Sequence, residues 1–305
     1  MSQLVLSPAP ATARVAESPF RRFASQFAES KLALAGLVVV AIIAVLALFA
    51  PWIAPQNPYD LAQLDIMDGR LPPGAVSDTG FTFWLGSDDQ GRDMLSAIIY
   101  GLRISLGVGV GSALIAGLAG SALGLVAAYA GGKIETAIMR LVDLQLSFPA
   151  ILVALMILAF LGKGIGNVMI AIVIVEWARY ARTARGAALS ERRREYIEAA
   201  ECLALPRWRI LFRHLLPNCA PPLIVIGTIQ IARAITLEAT LSFLGLGVPI
   251  TEPSLGLLIA NGYQYMLSGQ YWISFYPGIA LLVTIMAINL VGDQLRDVLN
   301  PRLSR

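Results

Sequence analysis

The sequence predicts an all-α polytopic membrane protein, a bundle of six transmembrane helices, and three observations predict it. Hydrophobic residues make up 57% of the 305 and charged residues only 14%, against about 25% charged in a soluble domain. Apolar runs near the ~20 residues that a helical span needs recur along the chain. The remaining charges segregate by sign into alternate loops, as they do in a chain threaded through a bilayer. This length leaves little room for a soluble catalytic domain, and no catalytic residue set is expected. Two cysteines, Cys202 and Cys219, are too few and too close to a basic loop for a disulfide framework. With His214 the single histidine, Cys/His metal chemistry is not expected either.

Residues 1–30, rich in Ala, Ser and Pro, read as an N-terminal tail. The apolar run from Leu32 to Ala50 follows Arg21, Arg22 and Lys31. It exceeds a signal-peptide core and lacks a cleavage site, so 31–53 reads as an uncleaved first span. Pro51, Pro55 and Pro58 end it, and residues 54–103 form the loop that follows. The second span lies between Arg103 and Lys133, roughly 105–129, with Gly107/Gly111 and Gly120/Gly124 each four apart. In lipid that spacing lets helix backbones approach closely; a gating hinge is the alternative. The third lies between Asp143 and Lys163 and begins near Pro149. The fifth covers roughly 221–241. The sixth, roughly 275–292, follows Tyr263, Tyr265, Tyr271, Trp272 and Tyr276, which suit a membrane interface. The core is thus 104–297, and 298–305 is a short C-terminal tail.

The fourth span is set by parity. Only twelve uncharged residues separate Lys163 from Glu176, so a crossing helix must carry Glu176 and Arg179, three apart and able to pair. Residues 54–103 hold seven acids and three arginines, whereas residues 179–213 hold nine arginines. An excess of Lys/Arg marks the cytoplasmic side. The first loop is therefore outside and the second inside. Both tails, with Arg21, Arg22 and Lys31 at one end and Arg296, Arg302 and Arg305 at the other, also read as inside. An even number of spans follows, and six requires the fourth to cross.

The least membrane-like part of the core is the loop 186–217, within which 195–218 reads EYIEAAECLALPRWRILFRHLLPN. A polar helix–turn–helix between spans serves nothing in the bilayer and reads as a docking surface for a soluble partner. Ser190 is placed to cap its first helix, with Glu191 in the first turn, and Arg194–Glu198 form an i,i+4 pair. Ala199 and Ala200 leave a flat patch where another backbone can come close. Pro206 disfavours α geometry at Leu205 and ends the helix. A second amphipathic segment then presents Trp208, Ile210, Leu211, Phe212 and Leu215 to the bilayer or bundle. Arg207, Arg209 and Arg213 turn toward headgroups or a partner. On these residues alone, a generic basic interfacial loop is the competing reading.

The spacing resembles the EAA loop of the permease subunits of ABC importers: Glu-Ala-Ala, three residues, Gly, nine residues, Ile-x-Leu-Pro. Here Glu198-Ala199-Ala200 is followed by Ala204 at the glycine position and by His214-Leu215-Leu216-Pro217 at the end. Arg213-His214-Leu215-Leu216-Pro217-Asn218 resembles the dipeptide/oligopeptide/nickel branch of that family. So do Leu85–Asp93 (LGSDDQGRD), Tyr100–Leu106 (YGLRISL), Glu238–Gly247 (EATLSFLGLG) and Gly292–Asp297 with Asn300-Pro301-Arg302. The likeness covers about 30–303 in one register. With Ala204 in place of the glycine, Pro206 is the residue expected to impose the break.

The resemblance implies a six-helix permease with a cytoplasmic EAA coupling helix in a bacterial inner (plasma) membrane, both termini cytoplasmic. It implies a homologous second permease, two cytoplasmic ATP-binding subunits carrying ATP and Mg, and a periplasmic substrate-binding protein. The chain has no G-x-x-x-x-G-K-[ST] phosphate cradle, so hydrolysis is expected in partner subunits and no cofactor in this chain. The coupling residues implied are Glu198, Ala199, Ala200, Ala204, Pro206, Leu216 and Pro217. Peptides are the leading substrate class; nickel or another small solute is the alternative within the branch.

Intramembrane charges are costly and point to function. Arg233 lies within the fifth span, and the resemblance does not account for it. It reads either as a pore residue meeting a peptide carboxylate or as the partner of an acid on another helix or subunit. Glu238, five residues on, is out of register to pair with it; with Ser242 and Phe243 it reads as lining an outer gate or as helix-end packing. His214 reads as an interfacial hydrogen-bonding residue. A proton- or ion-coupled secondary transporter is the rival class. It needs intramembrane carboxylate relays and repeat symmetry, for which Glu176 and Glu238 are thin support.

Overall fold

The computed structural model describes residues 19–60 and 64–299. It is a helical bundle with one small β-hairpin. Helices α1 (Pro19–Ala28), α2 (Lys31–Leu48) and α3 (Ala50–Ile53) lead into an irregular segment with the two-stranded hairpin β1 (Ala75–Val76) and β2 (Thr82–Phe83). Then follow α4 (Met94–Ala130), α5 (Gly132–Ser147), α6 (Ala150–Leu161), α7 (Ile165–Arg192), α8 (Glu195–Cys202), α9 (Arg207–Arg209), α10 (Leu216–Phe243), α11 (Leu255–Tyr263) and α12 (Trp272–Leu299).

Among the described residues four helices are long and apolar enough to cross a membrane: α2, α4, the stretch Ile210–Phe243 and α12. The expected third span, beginning near Pro149, is α6, and it is short. Helix α6 has 12 residues, ~18 Å at 1.5 Å per residue, and bends by 92° from α5 at Phe148-Pro149, where the pair forms one broken span or a re-entrant loop. Asp143 and Glu135 on α5 pair with Arg182 at 2.6 Å and Arg185 at 2.5 Å on α7. Those pairs hold α5 across the charged half of α7, and Pro149, with Phe148 extended before it, starts α6 in a new direction. Helix α7 has 28 residues, ~42 Å, so its length suffices to cross. Charge alone sets it apart from the other spans, and it carries the anticipated pair: Arg179 Nη1 meets Glu176 Oε2 at 2.6 Å. Gln230 Nε2 on α10 also donates to that carboxylate.

Two other boundaries move. The expected tail 1–30 contains helix α1, whose Gln26 carbonyl accepts from Gln294 Nε2 at 3.1 Å; the rest of the tail up to residue 18 lies outside the described residues, as do 300–305 at the other end. The loop expected over 54–103 gives its last ten residues to α4. Asp93 caps that helix, accepting from Ser96 N at 2.8 Å and Ser96 Oγ at 2.6 Å.

The LGSDDQGRD stretch has a local physical logic. Asp88, fully buried, accepts from Gln90 N and Arg92 N at 2.8 and 2.9 Å and from Arg92 Nε at 2.5 Å. The carboxylate thereby folds its own turn and neutralises a buried arginine. Trp272 does not face lipid headgroups: it is buried and donates to the Ser87 carbonyl at 3.2 Å, fastening α12 to this segment. The turn before α7 joins the loop after α10 through Gly164 N to Gly247 O at 3.2 Å. One end of the bundle therefore gathers residues 54–60, 64–93, 162–164 and 244–271.

Close approach of α4 and α7 needs glycine. A Cβ at Gly120 would collide with the Trp177 carbonyl, and one at Gly124 with the Ala181 carbonyl. The other expected pair divides. A Cβ at Gly111 would meet Met169 of α7, nothing lies near one at Gly107, and Gly109 is the residue that seats Ile235 of α10.

Candidate functional site

At the opposite end, residues 193–209 form the predicted helix–turn–helix. Helix α7 runs through Ser190 to Arg192, so Ser190 caps nothing; Arg194 is the N-cap of α8, and it has no side-chain bond there. Arg194 pairs with Glu191 at 3.6 Å rather than with Glu198. Tyr196 donates to Glu191 Oε2 at 2.8 Å; burial first, and that bond second, push its phenol up to about 12.

Helix α8 ends in a Schellman turn. Ala204 has φ +51°, its N–H donates to the Glu201 carbonyl at 2.9 Å, and Leu205 N–H reaches back to the Ala200 carbonyl at 3.2 Å. The left-handed residue is the one at the motif glycine position. Pro206 does not impose the break: it starts the next helix, its carbonyl accepting from Arg209 and Ile210 at 2.8 and 3.2 Å.

The segment is two-faced. Ile197, Ala200, Ile210, Leu215 and Cys219 pack with Leu125, Ala128 and Ala188 in one buried cluster, tying α8 to the ends of α4 and α7. Arg192 adds a clamp by donating to the Ala128 carbonyl at 3.1 Å with its guanidinium 5.6 Å from the Tyr129 ring centre. Ala200 therefore faces its own bundle, and only Ala199 of the expected flat patch is exposed. The outer face carries Glu198, without an ion pair among the described residues, with Ala199 and Leu203, 74% exposed. Trp208 and Phe212, four apart, are exposed as well, while Ile210 and Leu215 point inward.

The second arm does not stop. Residues 207–209 pass into a π-helical stretch, Ile210–Leu215, and then directly into α10. Pro217 has no N–H and its ring crowds the carbonyl four residues back; a local widening of the helix accommodates it, with Leu216 N–H bonding Leu211 O, five residues back. His214 is half-buried, and its carbonyl accepts from Asn218 Nδ2 at 2.6 Å.

The four pathway candidates separate on α10. Glu238 is 0% exposed. It accepts from Ser105 Oγ on α4 and from Ser242 Oγ, both at 2.8 Å, so Glu238 and Ser242 form a clasp between helices. Arg233 lies on the opposite, unpartnered face. Ile229, Arg233, Thr236, Thr240 and Phe243 follow one another at helical spacing, exposed or half-exposed. Both threonine hydroxyls bond back to their own helix, to Ala232 O and Thr236 O at 2.8 and 2.7 Å. Arg233 makes no ion pair among the described residues. Sequence reasoning placed the charges but not the faces, although the three-and-four spacing of this stripe is visible in the sequence. It missed the Ser105 partner, for which a lone span serine gives no signal.

Comparison with known proteins agrees with the motifs. Residues 120–305 match the family described as binding-protein-dependent transport system inner membrane component. Residues 18–73 match the N-terminal TM domain of oligopeptide transport permease C. The chain is 39% identical over 99% of both lengths to a di/tripeptide transport system permease protein of Pseudomonas aeruginosa. It is 36% identical to a dipeptide transport system permease protein of Haemophilus influenzae, over 95% of this chain and 97% of that one. A chain of the MetNI methionine ABC transporter in an inward-facing form shares the fold, with a TM-score of 0.57 at 18% identity over 68% of this chain and 98% of that one.

Proposed function

Because this chain belongs to the binding-protein-dependent transport inner-membrane family, we propose that it forms half of the pore through which an ABC importer takes up di- and oligopeptides. It is a permease subunit of such an importer and not an enzyme; ATP hydrolysis belongs to separate subunits. In this reading the bundle has six spans, α7 included, in a bacterial inner membrane with both termini cytoplasmic. The nine-arginine stretch supports that orientation. A homologous permease completes the pore. A periplasmic binding protein delivers substrate at the end that gathers 54–60, 64–93, 162–164 and 244–271. Two ATP-binding subunits, holding ATP and Mg, dock at α8.

One observation carries the reading: α8 and its Schellman turn present Glu198, Ala199 and Leu203 outward while their inner side is packed onto α4, α7 and the base of α10. A partner gripping the outer face moves the inner face with it. Packed cores shift as bodies rather than deform. Closure of two ATPases around paired coupling helices thus reaches three spans at once. Arg233, on the unpartnered face of α10, then faces the pore and meets the peptide carboxylate.

The test is ATP-dependent dipeptide uptake in proteoliposomes holding the full transporter. Glu198→Lys should lose ATPase subunits on purification while the permease pair stays assembled, since Glu198 is exposed and unpaired. Retention of ATPases at wild-type stoichiometry by that variant would remove α8 as the dock. Uptake that survives ATP depletion but collapses with the proton gradient would remove the importer reading itself.

A further inference from the structure

We propose that the groove between the inner half of α4 and the base of α10 holds an acyl chain of an anionic phospholipid, whose headgroup phosphate rests on Arg209 and Arg213. The inference rests on the orientation read above, which puts this end of the bundle at the cytoplasmic leaflet. The groove arises because α4 changes neighbour along its length. In the outer half α10 packs against it, with Ile235 on Gly109 and Glu238 on Ser105. In the inner half α4 leans on α7, where Gly120 and Gly124 lie against the Trp177 and Ala181 carbonyls. There α4 and α10 part and leave about 660 Å³, within the range of small-molecule sites. Leu118 and Ala122 of α4 line one side, and Tyr180 of α7 also lines it.

Three observations name the occupant. The first is phase. Leu216, Ala220, Ile224, Gly227 and Ile231 line the groove at helical spacing along α10. Gly227 and Ile231 stand two residues before Ile229 and Arg233 of the exposed stripe, about 200° around the helix. A subunit facing that stripe leaves the groove on the far side of α10, open to lipid. The second is length. The groove runs from Phe212 to Gly227, ~22 Å along a helix, room for a chain that fills one leaflet of a ~30 Å hydrocarbon core. A Cβ at Gly227 would have open space around it, so the glycine keeps that slot clear. The third is the mouth. Trp208, Arg209, Phe212 and Arg213 are all exposed. Phe212 lines the groove, and the two arginines flank it in sequence, neither with an ion pair among the described residues. The Arg209 guanidinium lies 5.9 Å from the Trp208 ring centre. Interfacial aromatics beside unpaired cations suit the headgroup level of a leaflet, and a basic mouth favours a headgroup with net negative charge over a zwitterionic one.

The experiment takes the complete transporter in detergent, exchanges its lipid against phosphatidylglycerol or phosphatidylcholine of equal chain length, and reads the retained lipid by native mass spectrometry. Wild type should retain phosphatidylglycerol in preference. Arg209→Gln and Arg213→Gln should each weaken that retention about fivefold, the scale of one cation at a charged membrane surface, and affect phosphatidylcholine much less. Gly227→Leu fills the groove and should lower retention of both lipids; Ala122→Phe should do the same from the α4 side. ATPase subunits and the second permease should stay at wild-type stoichiometry in every variant. Equal retention of the two lipids by wild type overturns the site, as does phosphatidylglycerol retention that the combined arginine variant leaves untouched. Loss of ATPase subunits from the arginine variants also overturns it, because the cations then belong to an ATPase contact. Loss of the second permease from both groove variants overturns it in favour of a protein helix in the groove. The importer reading is judged separately, by ATP-dependent dialanine uptake of the wild type.

Discussion

Replacing Ala204 by glycine should strengthen the coupling turn. Ala204 sits at φ +51°, where an L-residue's Cβ crowds the next carbonyl at about 1–2 kcal/mol. Glycine escapes that crowding but loses more freedom on folding, which returns about 0.5–1 kcal/mol. The net gain is about 0.5–1 kcal/mol, or roughly a two- to fivefold rise in protection against local opening. Hydrogen exchange followed by mass spectrometry on peptides covering 199–210 reads it directly. The informative amides are those of Ala204 and Leu205, which donate to Glu201 and Ala200. Pro206→Ala is the control. The proline contributes a carbonyl that alanine also has, so the variant should lose only the ~0.4–1 kcal/mol of chain restriction a proline provides. Its turn should stay formed and its ATPase coupling intact. Glycine-variant protection equal to wild type, or a collapse of the turn in Pro206→Ala, would refute the assignment and return the break to the proline.

Three further outcomes follow from the packing. Glu238→Leu strands the Ser105 and Ser242 hydroxyls and removes two bonds to a carboxylate; at about 1.5–3 kcal/mol for such a bond, it should lower the thermal midpoint of the purified transporter well beyond Glu238→Gln, which keeps an acceptor. Gly124→Val drives a side chain into the Ala181 carbonyl and should cost about 1–3 kcal/mol by overpacking, seen as a lower midpoint, while Gly107→Val, with open space beside it, should not. Burial lifts the carboxyl groups of Asp89 and Asp93 above the ordinary range. The folded segment 64–93 then holds protons more tightly than the unfolded chain. Stability from these groups is present below the ordinary carboxylate pKa and falls as pH rises through the raised values. Limited proteolysis of this segment should quicken over that window, and Asp93→Asn, which keeps the cap, should flatten the trend.

What the sequence made legible was whatever depends on period and sign. The apolar runs located α2, α4, α10 and α12, and the alternation of acidic and arginine-rich stretches sorted the loops to two ends. Motif spacing located a helix–turn–helix but misplaced its first cap, expected at Ser190 and found at Arg194. Burial direction was less legible. Ala199 and Ala200 are identical in sequence, yet one is exposed and the other packs with Ile197 and Leu215, because only the phase of α8 against α4 separates them. Glu238 looked like a gate residue because a span carboxylate is costly. Its partner Ser105 lies 133 positions away on α4, and no local pattern joins the two. Pro149 marked the start of the third span, but the ion pairs that join α5 to α7, Asp143–Arg182 and Glu135–Arg185, link residues 39 and 50 positions apart, and no local pattern shows them.

The continuity of residues 207–243 gives these separate features a common mechanical meaning. Were the helix–turn–helix joined to α10 by a loop, a displacement of α8 could be absorbed there, and the pore would need another drive. Instead the second arm is the base of α10. At that base Leu215 and Cys219 are locked into the cluster that holds α8, and further along Glu238 is clasped to α4. The π-helical stretch Ile210–Leu215 runs up to the first of these points, and Pro221 and Pro222 lie between them inside α10. On the proposed reading, motion imposed at Glu198 passes the turn at Ala204 and the packed cluster before it reaches Arg233 and Phe243 along α10. The exposed stripe that carries those two residues is the surface α10 would turn toward or away from a facing subunit.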